Sequence, residues 1–538
     1  MLETFVEHGR FQATGYRAAN WIHIGMTKGR GRQDVANKHG VELKDIYVYP
    51  LREDAVEILS NGSVVYKPIS LFVPEDWVEK ELGEAKLDDC RMRNRLLVIT
   101  RDMYARPQAS IPQACQSRAK TKAAYRFFED NDNTMDKILA PHYESTVKRI
   151  SKEKVILAVQ DTTSLNYTTH RATEKLGPIG SKKDGAIGLL VHDTMAFNLE
   201  STPLGLLNVQ CWARDKEKFG KKQSQRKLSI EEKESYNWLK SFKVAVDVQK
   251  RCPETMVVSV GDREADIYEL FELALRDSRG PKLLIRAKHN RLMAEGQGHL
   301  WDYVGEQALS GIQKVCIPRK KNHPAREASL EIRFARVNLK PPKNGKKELG
   351  ELTLWGTIAE EVNYEDSVEE PVRWLLLTTL EVASFEEAVE KLEWYVKRWG
   401  IEVYHKTLKS GCKVEERQLR NADRIESCLA IDMIVAWRIF HLSKLGREIP
   451  DVPCSVFFEE AEWKALVVYK TKNPISPEKP PTLKEAIHMV ANLGGFLDRK
   501  GDGEPGTKTL WLGLQRLEDI TEMWKVLSTH INSPPCVQ

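Results

Sequence analysis

A chain of 538 residues, 41% hydrophobic, 30% charged and 8% aromatic, is long enough for two or more domains and too apolar to be disordered. No apolar run approaches the ~18 residues of a membrane span, and the opening MLETFVEHGR is too acidic and polar for a secretory leader, so a cytosolic protein with no membrane partner is expected. Lys+Arg 82 against Asp+Glu 77 leaves a formal charge of only +5, so any case for nucleic acid has to rest on local clusters.

The nine cysteines are scattered and include no C-x-x-C pair, which reads as reduced and structural rather than zinc-binding or disulfide-linked. The first seventy residues hold YRAANW (Tyr16 to Trp21), GMTKGRGR (Gly25 to Arg32) and the apolar run IYVYPL (Ile46 to Leu51). A Gly-Arg loop ahead of a helix can bind phosphate through backbone N–H groups, and it can equally be a solvated turn. From Pro74 to Arg149 the pattern is helical and basic, with Arg91, Arg93, Arg95, Arg118, Lys120, Lys122 and Arg126, and it breaks at Ser110, Ile111 and Pro112. Either a DNA-docking helical module or a solvated charged face fits.

The middle of the chain reads as mixed α/β. VILAV (Val155 to Val159) is a short buried strand ending at Gln160 and Asp161, LGLLNVQCW (Leu204 to Trp212) is another, and MVVSV (Met256 to Val260) runs into GDREADIYELFELAL, where a strand meets a helix at an acidic residue. KLLIRAK (Lys282 to Lys288) follows. Between Asn290 and Pro371 the period becomes two, in SLEIRFARVNL and ELTLWGTIAEEV, with basic loops PRKKNHPAR and KPPKNGKK, as in a β-rich insertion. VRWLLLTT (Val372 to Thr379) restores a buried strand. Helical patterns then run to Leu445, a Pro-rich connection covers Asn473 to Thr482, and a final helical stretch closes the chain.

The helix-length stretch from Phe385 to Gly411 carries Tyr395, Arg398, Glu402, Lys406 and Lys409, which fall within a wedge of roughly 80° on a helical wheel. A lone carboxylate among cations is costly in a core and suits a surface holding a divalent metal beside a phosphate backbone. With Asp161 and Asp262 at strand ends, where α/β sheets bind ligands, Glu402 completes three oxygen donors suited to Mg²⁺ or Mn²⁺. Singly, Asp262 can simply cap its helix, Asp161 close a turn, and Glu402 pair with Lys406.

At these residues the chain resembles the DDE transposases of the bacterial insertion sequence 4 group, closest to the transposon 5 type. The matches are QDTTSLNYTTH around Asp161, VGDREADIYELF around Asp262, and YVKRWGIEVYHKTLKSG, whose Tyr395, Arg398, Glu402 and Lys409 have the group's spacing of three, four and seven. The resemblance covers about Trp77 to Leu517, including YRFFEDN near Tyr125 and a terminal LGGFLD. It departs at Tyr268, where the closest relative has a histidine, and in CKVEERQL after Gly411. The first seventy residues lie outside it and look like the end of an uncharacterised domain attached to some transposases and to phage-defence proteins.

The resemblance implies an α/β fold: a ribonuclease H-like core in two parts (151–289 and 372–447) around a β-rich insertion (290–371). A helical DNA-end-binding domain (74–150) and a C-terminal helical dimerisation domain (448–538) flank it, after an extension (1–73) of unassigned role. It implies that Asp161, Asp262 and Glu402 hold two Mg²⁺ (or Mn²⁺) ions, and that Tyr395, Arg398, Lys406 and Lys409 hold the DNA end. Trp374, otherwise a core aromatic, would stack on a base flipped out as a hairpin forms. Arg286, Lys288 and Arg291 would line the DNA path, Trp399 would lie beside the end, and Arg91, Arg95, Arg118, Lys120, Tyr125 and Arg126 would serve end recognition. The implied function is cut-and-paste transposition by a homodimer on double-stranded DNA at terminal inverted repeats, in a bacterial, nucleoid-associated setting. A catalytically silent, transposase-derived regulator and a metal nuclease without strand transfer are the alternatives.

Overall fold

The structure is a computed structural model and describes residues 76–181, 183–217, 219–220, 229–317, 326–342, 349–364 and 371–531, together with 2–11, 13, 14, 16, 21–29, 40 and 42–49. The chain divides into two compact units, Met1–Val73 and Pro74–Gln538. In the first, strands β1 (Leu2–Glu7), β2 (Ile22–Met26) and β3 (Lys44–Tyr49) form an antiparallel sheet in the order β1-β3-β2, closed on one side by Val6, Ala13 and Tyr47. The IYVYPL strand is therefore present up to Tyr49. Residues 30–32 of the Gly-Arg loop, most of YRAANW, residues 318–325 of the first basic loop and 343–347 of the second lie outside the described residues.

The second unit opens with α1 (Trp77–Leu82), α2 (Cys90–Ala105), α3 (Ile111–Cys115), α4 (Arg118–Glu129) and α5 (Met135–Ile150). The Ser-Ile-Pro segment starts α3 instead of merely interrupting a helix. The Ser110 and Gln113 side chains form a reciprocal capping box, and Pro112 sits in the first turn, where its missing N–H costs nothing.

The strands that follow are β4 (Val155–Asn166), β5 (Gly177–Pro178), β6 (Ile187–Phe197) and β7 (Pro203–Trp212), then, after α6 (Tyr236–Arg251), β8 (Met256–Gly261). After α7 (Tyr268–Leu275) come β9 (Lys282–Arg286), α8 (Leu300–Gly305), β10 (Gly311–Ile317), β11 (Arg326–Leu339), β12 (Leu352–Val362) and β13 (Arg373–Thr378). They make one mixed sheet in the order β10-β11-β12-β13-β9-β8-β4-β6-β5, with β7 also on β6. Only the β4/β8 and β8/β9 pairings are parallel. The strands expected as a β-rich insertion thus continue the central sheet through β13.

The remaining helices are α9 (Phe385–Val396), α10 (Trp399–Lys406), α11 (Ala422–Glu448), α12 (Glu460–Thr471), α13 (Leu483–Leu493) and α14 (Thr507–Ile531). Helix α11 is buried around most of its circumference, from Ile425 through Met433 and Trp437 to Leu442, and forms the spine on which α2, α5 and the C-terminal helices pack. No described helix is long and apolar enough to cross a membrane. The eight cysteines among the described residues are all unpaired.

Candidate active site and DNA-facing residues

Parallel pairing of β4 with β8 matches Val159 to Val260, so two residues further on each strand Asp161 and Asp262 come abreast. Asp262 directly follows β8 and accepts from the Glu264 N–H at 2.8 Å, capping the 3₁₀ turn Arg263–Ala265. Asp161 corrects the expectation of a strand end. Strand β4 continues to Asn166 because it pairs antiparallel with β6 well beyond the point where β8 stops, and Asp161 faces Asp193 of β6 in that ladder.

The third acid arrives from the helical side, where a correction is also due. The stretch Phe385–Gly411 is not one straight helix: α9 ends at Val396, Arg398 caps α10, and Thr407–Gly411 is a π turn closed by Cys412 N–H to Thr407 C=O at 3.0 Å. The Thr407 hydroxyl donates to Val403 C=O at 2.8 Å, loosening the regular ladder at that point. Such π bulges are frequent at functional sites, and this one carries Lys409.

Within this frame Arg398 joins the acids. Its Nη2 donates to Glu402 and its Nη1 lies 3.9 Å from Asp161 Oδ2. Asp161 is pushed up to about 6, first by burial and also by the neighbouring Asp262 and Asp193 carboxylates, against the pull of His405 and Arg398. Lys409 is half-buried, and its burial lowers the ammonium pKa although Glu415, Asp161 and Asp193 oppose that. Lys406 and Trp399 are exposed, the indole at 58%.

Beside the acids lies an aromatic and guanidinium cluster. Trp374 is half-buried on β13, edge-on to Tyr395 at 5.4 Å, with the Arg286 guanidinium 5.5 Å over its ring. Burial raises the Tyr395 phenol pKa, against the pull of the Arg398 and Arg286 charges. The buried Nε of Arg286 has no hydrogen-bond partner. Lys288 is exposed, whereas Arg291 is tied to the fully buried Asp266 carboxylate at 2.6 and 3.2 Å. Tyr268, the departure noted in the sequence, donates its hydroxyl to the carbonyls of Leu339 and Gly350 at 3.1 and 2.7 Å.

In the N-terminal helices of the second unit, Arg118, Tyr125 and Arg126 line a groove of about 820 Å³ along α4, together with Gln116, Thr121 and Lys122. Lys120 is outside it, paired with Asp102 at 2.8 Å. Arg91 and Arg95 stand on α2, the first exposed and the second partly so.

Sequence reading missed Asp193 and His405. The imidazole Nε2 lies 3.0 and 3.2 Å from the two Asp193 oxygens and Nδ1 lies 3.7 Å from Asp161 Oδ2. The available signal was VHDTMAF, a His-Asp pair inside an otherwise apolar run.

As to metal, the donors are the right kind, hard carboxylate oxygens, and Asp161 resists ionising first because it is buried and then because Asp262 and Asp193 lie near it. Among the described residues, no three His, Cys, Asp or Glu side chains are gathered to hold an ion as they stand. Glu402 would have to leave Arg398 to join the aspartates.

The second unit thus combines a basic helical module, a mixed sheet with acids just past the end of a parallel strand pairing, and a helical C-terminal end. Residues 74–133 match the family model "Transposase DNA-binding" and residues 434–528 match "Transposase Tn5 dimerisation domain", the second beginning inside α11. These two matches support a transposase of the Tn5 type. A cryo-EM structure of a piggyBac transposase synaptic complex with hairpin DNA is also similar, at 9% identity and a TM-score of 0.33, over 82% of this chain and 73% of that one.

Proposed function

We propose that the protein is a cut-and-paste DNA transposase of the insertion sequence 4 group with a ribonuclease H-like DDE core. The observation that carries this reading is that Asp161 and Asp262 come abreast on neighbouring parallel strands while Arg398 bridges Asp161 to Glu402, in a chain that also matches transposase DNA-binding and dimerisation domains. The three carboxylates would hold two divalent ions, Mg²⁺ or Mn²⁺, which supply Lewis acidity to the attacking and leaving oxygens of an in-line phosphodiester displacement.

The chain's own residues do the rest. Helices α2 to α4 bind the terminal inverted repeats, with Arg118, Tyr125 and Arg126 in the groove. Arg398, Lys406 and Lys409 neutralise the phosphates flanking the cut, as charge-assisted contacts worth more in a partly buried site than in water. Tyr395, Arg286 and Trp374 hold the end, and Trp374 offers its ring to a base unstacked when the freed 3′ hydroxyl attacks the opposite strand to form a hairpin. After hairpin opening the 3′ ends join target DNA, each protomer of a homodimer cutting the end bound chiefly by its partner.

A second reading, a catalytically silent transposase-derived regulator or inhibitor, is favoured by one observation: Glu402 is engaged by Arg398 rather than turned to the aspartates. One experiment separates the readings. Purified protein with Mg²⁺ and a plasmid carrying the element's ends should excise and integrate them, and Asp161→Ala, Asp262→Ala and Glu402→Ala should each abolish cleavage while retaining end binding. Binding without cutting by the unmodified protein supports the regulator, and cleavage surviving in the triad variants rejects the assignment.

A further inference from the structure

We infer that the buried Asp193–His405 pair is a positioning device for Asp161, an inference that rests on the metal-dependent reading above. Asp161 and Asp193 are direct cross-strand partners on β4 and β6, so their side chains project from the same face of the sheet. Asp193 is fully buried, and an ionised carboxylate there is tolerable only if paired. Its side chain is met by His405, with both carboxylate oxygens within 3.2 Å of Nε2.

That bond fixes the ring. With Nε2 engaged, Nδ1 is turned toward Asp161 Oδ2 at 3.7 Å, just outside hydrogen-bond distance. His405 also lies three residues beyond Glu402 on α10, so the helix that delivers one acid steadies another. A short rotation of the Asp161 carboxyl closes the gap, engaging Oδ2 and leaving Oδ1 for a ligand. The chain Asp193–His405–Asp161 thereby orders the carboxylate that has to be held still, in the way that outer partners orient metal-binding groups elsewhere.

Glutamine at 405 separates positioning from simple core filling. Its amide nitrogen can replace Nε2 and satisfy Asp193, but it offers no second nitrogen at the place of Nδ1. The test uses the full chain, titrated with Mn²⁺ and followed by electron paramagnetic resonance without DNA, and end cleavage as a function of Mg²⁺. For H405Q we expect near-normal thermal unfolding and end binding, Mn²⁺ binding and Mg²⁺ half-saturation weakened about 10–100-fold, and cleavage largely recovered at saturating metal. His405→Asn, which keeps a donor near Nδ1, should weaken metal binding less than H405Q in the folded fraction. Unchanged Mn²⁺ affinity and Mg²⁺ half-saturation in a folded H405Q protein overturns the inference. Asp161→Ala is the control: if it leaves Mn²⁺ binding intact, the metal-site reading itself has failed.

Discussion

Arg398 donates through Nη2 to Glu402, four residues on, while keeping Nη1 3.9 Å from Asp161, so a single guanidinium serves as counter-ion to two of the three acids. A cation in that position competes with any metal for the same oxygens. Replacing it with alanine is predicted to strengthen Mn²⁺ binding to the DNA-free protein by about tenfold, equivalent to ~1.4 kcal/mol, while end cleavage falls because a phosphate contact is lost. Mn²⁺ titration of Arg398→Ala checks this. An affinity equal to or weaker than wild type would mean that the guanidinium and the ion do not compete.

A second buried cluster, Glu81–His142–Arg149, ties α1 and α5 to the sheet. His142 Nε2 accepts the Leu206 N–H at 2.9 Å, so Nδ1–H donates to Glu81 at 2.5 Å, and Arg149 adds two contacts at 3.0 and 2.9 Å. Burial alone would raise the Glu81 pKa, but the His142 and Arg149 contacts outweigh it and lower the carboxyl below its ordinary value, to about 2 where the imidazole is protonated. With the folded value below the ordinary 4.5, its stabilisation is complete above that value and is lost as pH falls through about 2. Near neutrality, where His142 is neutral, Arg149 and the Nδ1–H bond carry the contribution, about 1–3 kcal/mol. The stability gap between wild type and Glu81→Gln, measured by urea unfolding, should therefore shrink as the solution is acidified below about pH 4.5. A gap independent of pH would rule out this linkage.

Arg417 is enclosed within the second unit. It pairs with the buried Asp432 of α11 at 2.7 and 3.0 Å and also donates to the carbonyls of Ala109, Pro107 and Cys412 at 2.5, 3.3 and 3.1 Å. The loop leading to α3 and the segment just after Lys409 are thus held by one side chain. Arg417→Met leaves Asp432 buried without its partner and should cost about 3–5 kcal/mol, whereas Arg417→Met with Asp432→Leu should recover part of that loss. A double-mutant cycle on unfolding free energies measures the coupling. Strictly additive losses would contradict it.

The parallel strands were legible because VILAV, MVVSV and KLLIRAK are short apolar runs of strand length, and Asp262 was legible as the residue that ends one of them. Strand β6 was not, because GLLVHDTMAF interrupts its apolar run with His192 and Asp193, both fully buried by partners remote in sequence. The same remoteness hid His405, which on a wheel is one more residue between Glu402 and Lys406. The wheel placed the five polar residues on one face but could not register the break at Arg398 or the π turn, since both depend on tertiary contacts such as Gly400 against Phe197, where a Cβ would come within 2.7 Å of the ring. Arg291 and Lys120 read as free cations, yet each has an acidic partner at least eighteen residues away.

Helices α13 and α14 meet backbone to backbone. A Cβ on Gly513 would fall 1.9 Å from Val490 C=O, and one on Gly494 would fall 1.8 Å from Thr509 C=O, so glycine is required by closeness of approach at both places. Helix α13 and all but the last three residues of α14 lie within the 434–528 match to the Tn5 transposase dimerisation domain. Gly513→Ala has to push the helices apart, at a cost of about 1–3 kcal/mol by the usual penalty for overpacking. Residues 74–133, which carry the DNA-binding match, meet α14 through Arg106 with Asp519 and Glu522 and not at Gly513, which faces Val490, so end binding by the monomer should persist while self-association weakens. Sedimentation equilibrium of the full chain with and without end DNA, beside a gel-shift titration, reads both effects. If Gly513→Ala associates and melts as wild type does, the close helix contact is not what shapes the dimerising surface.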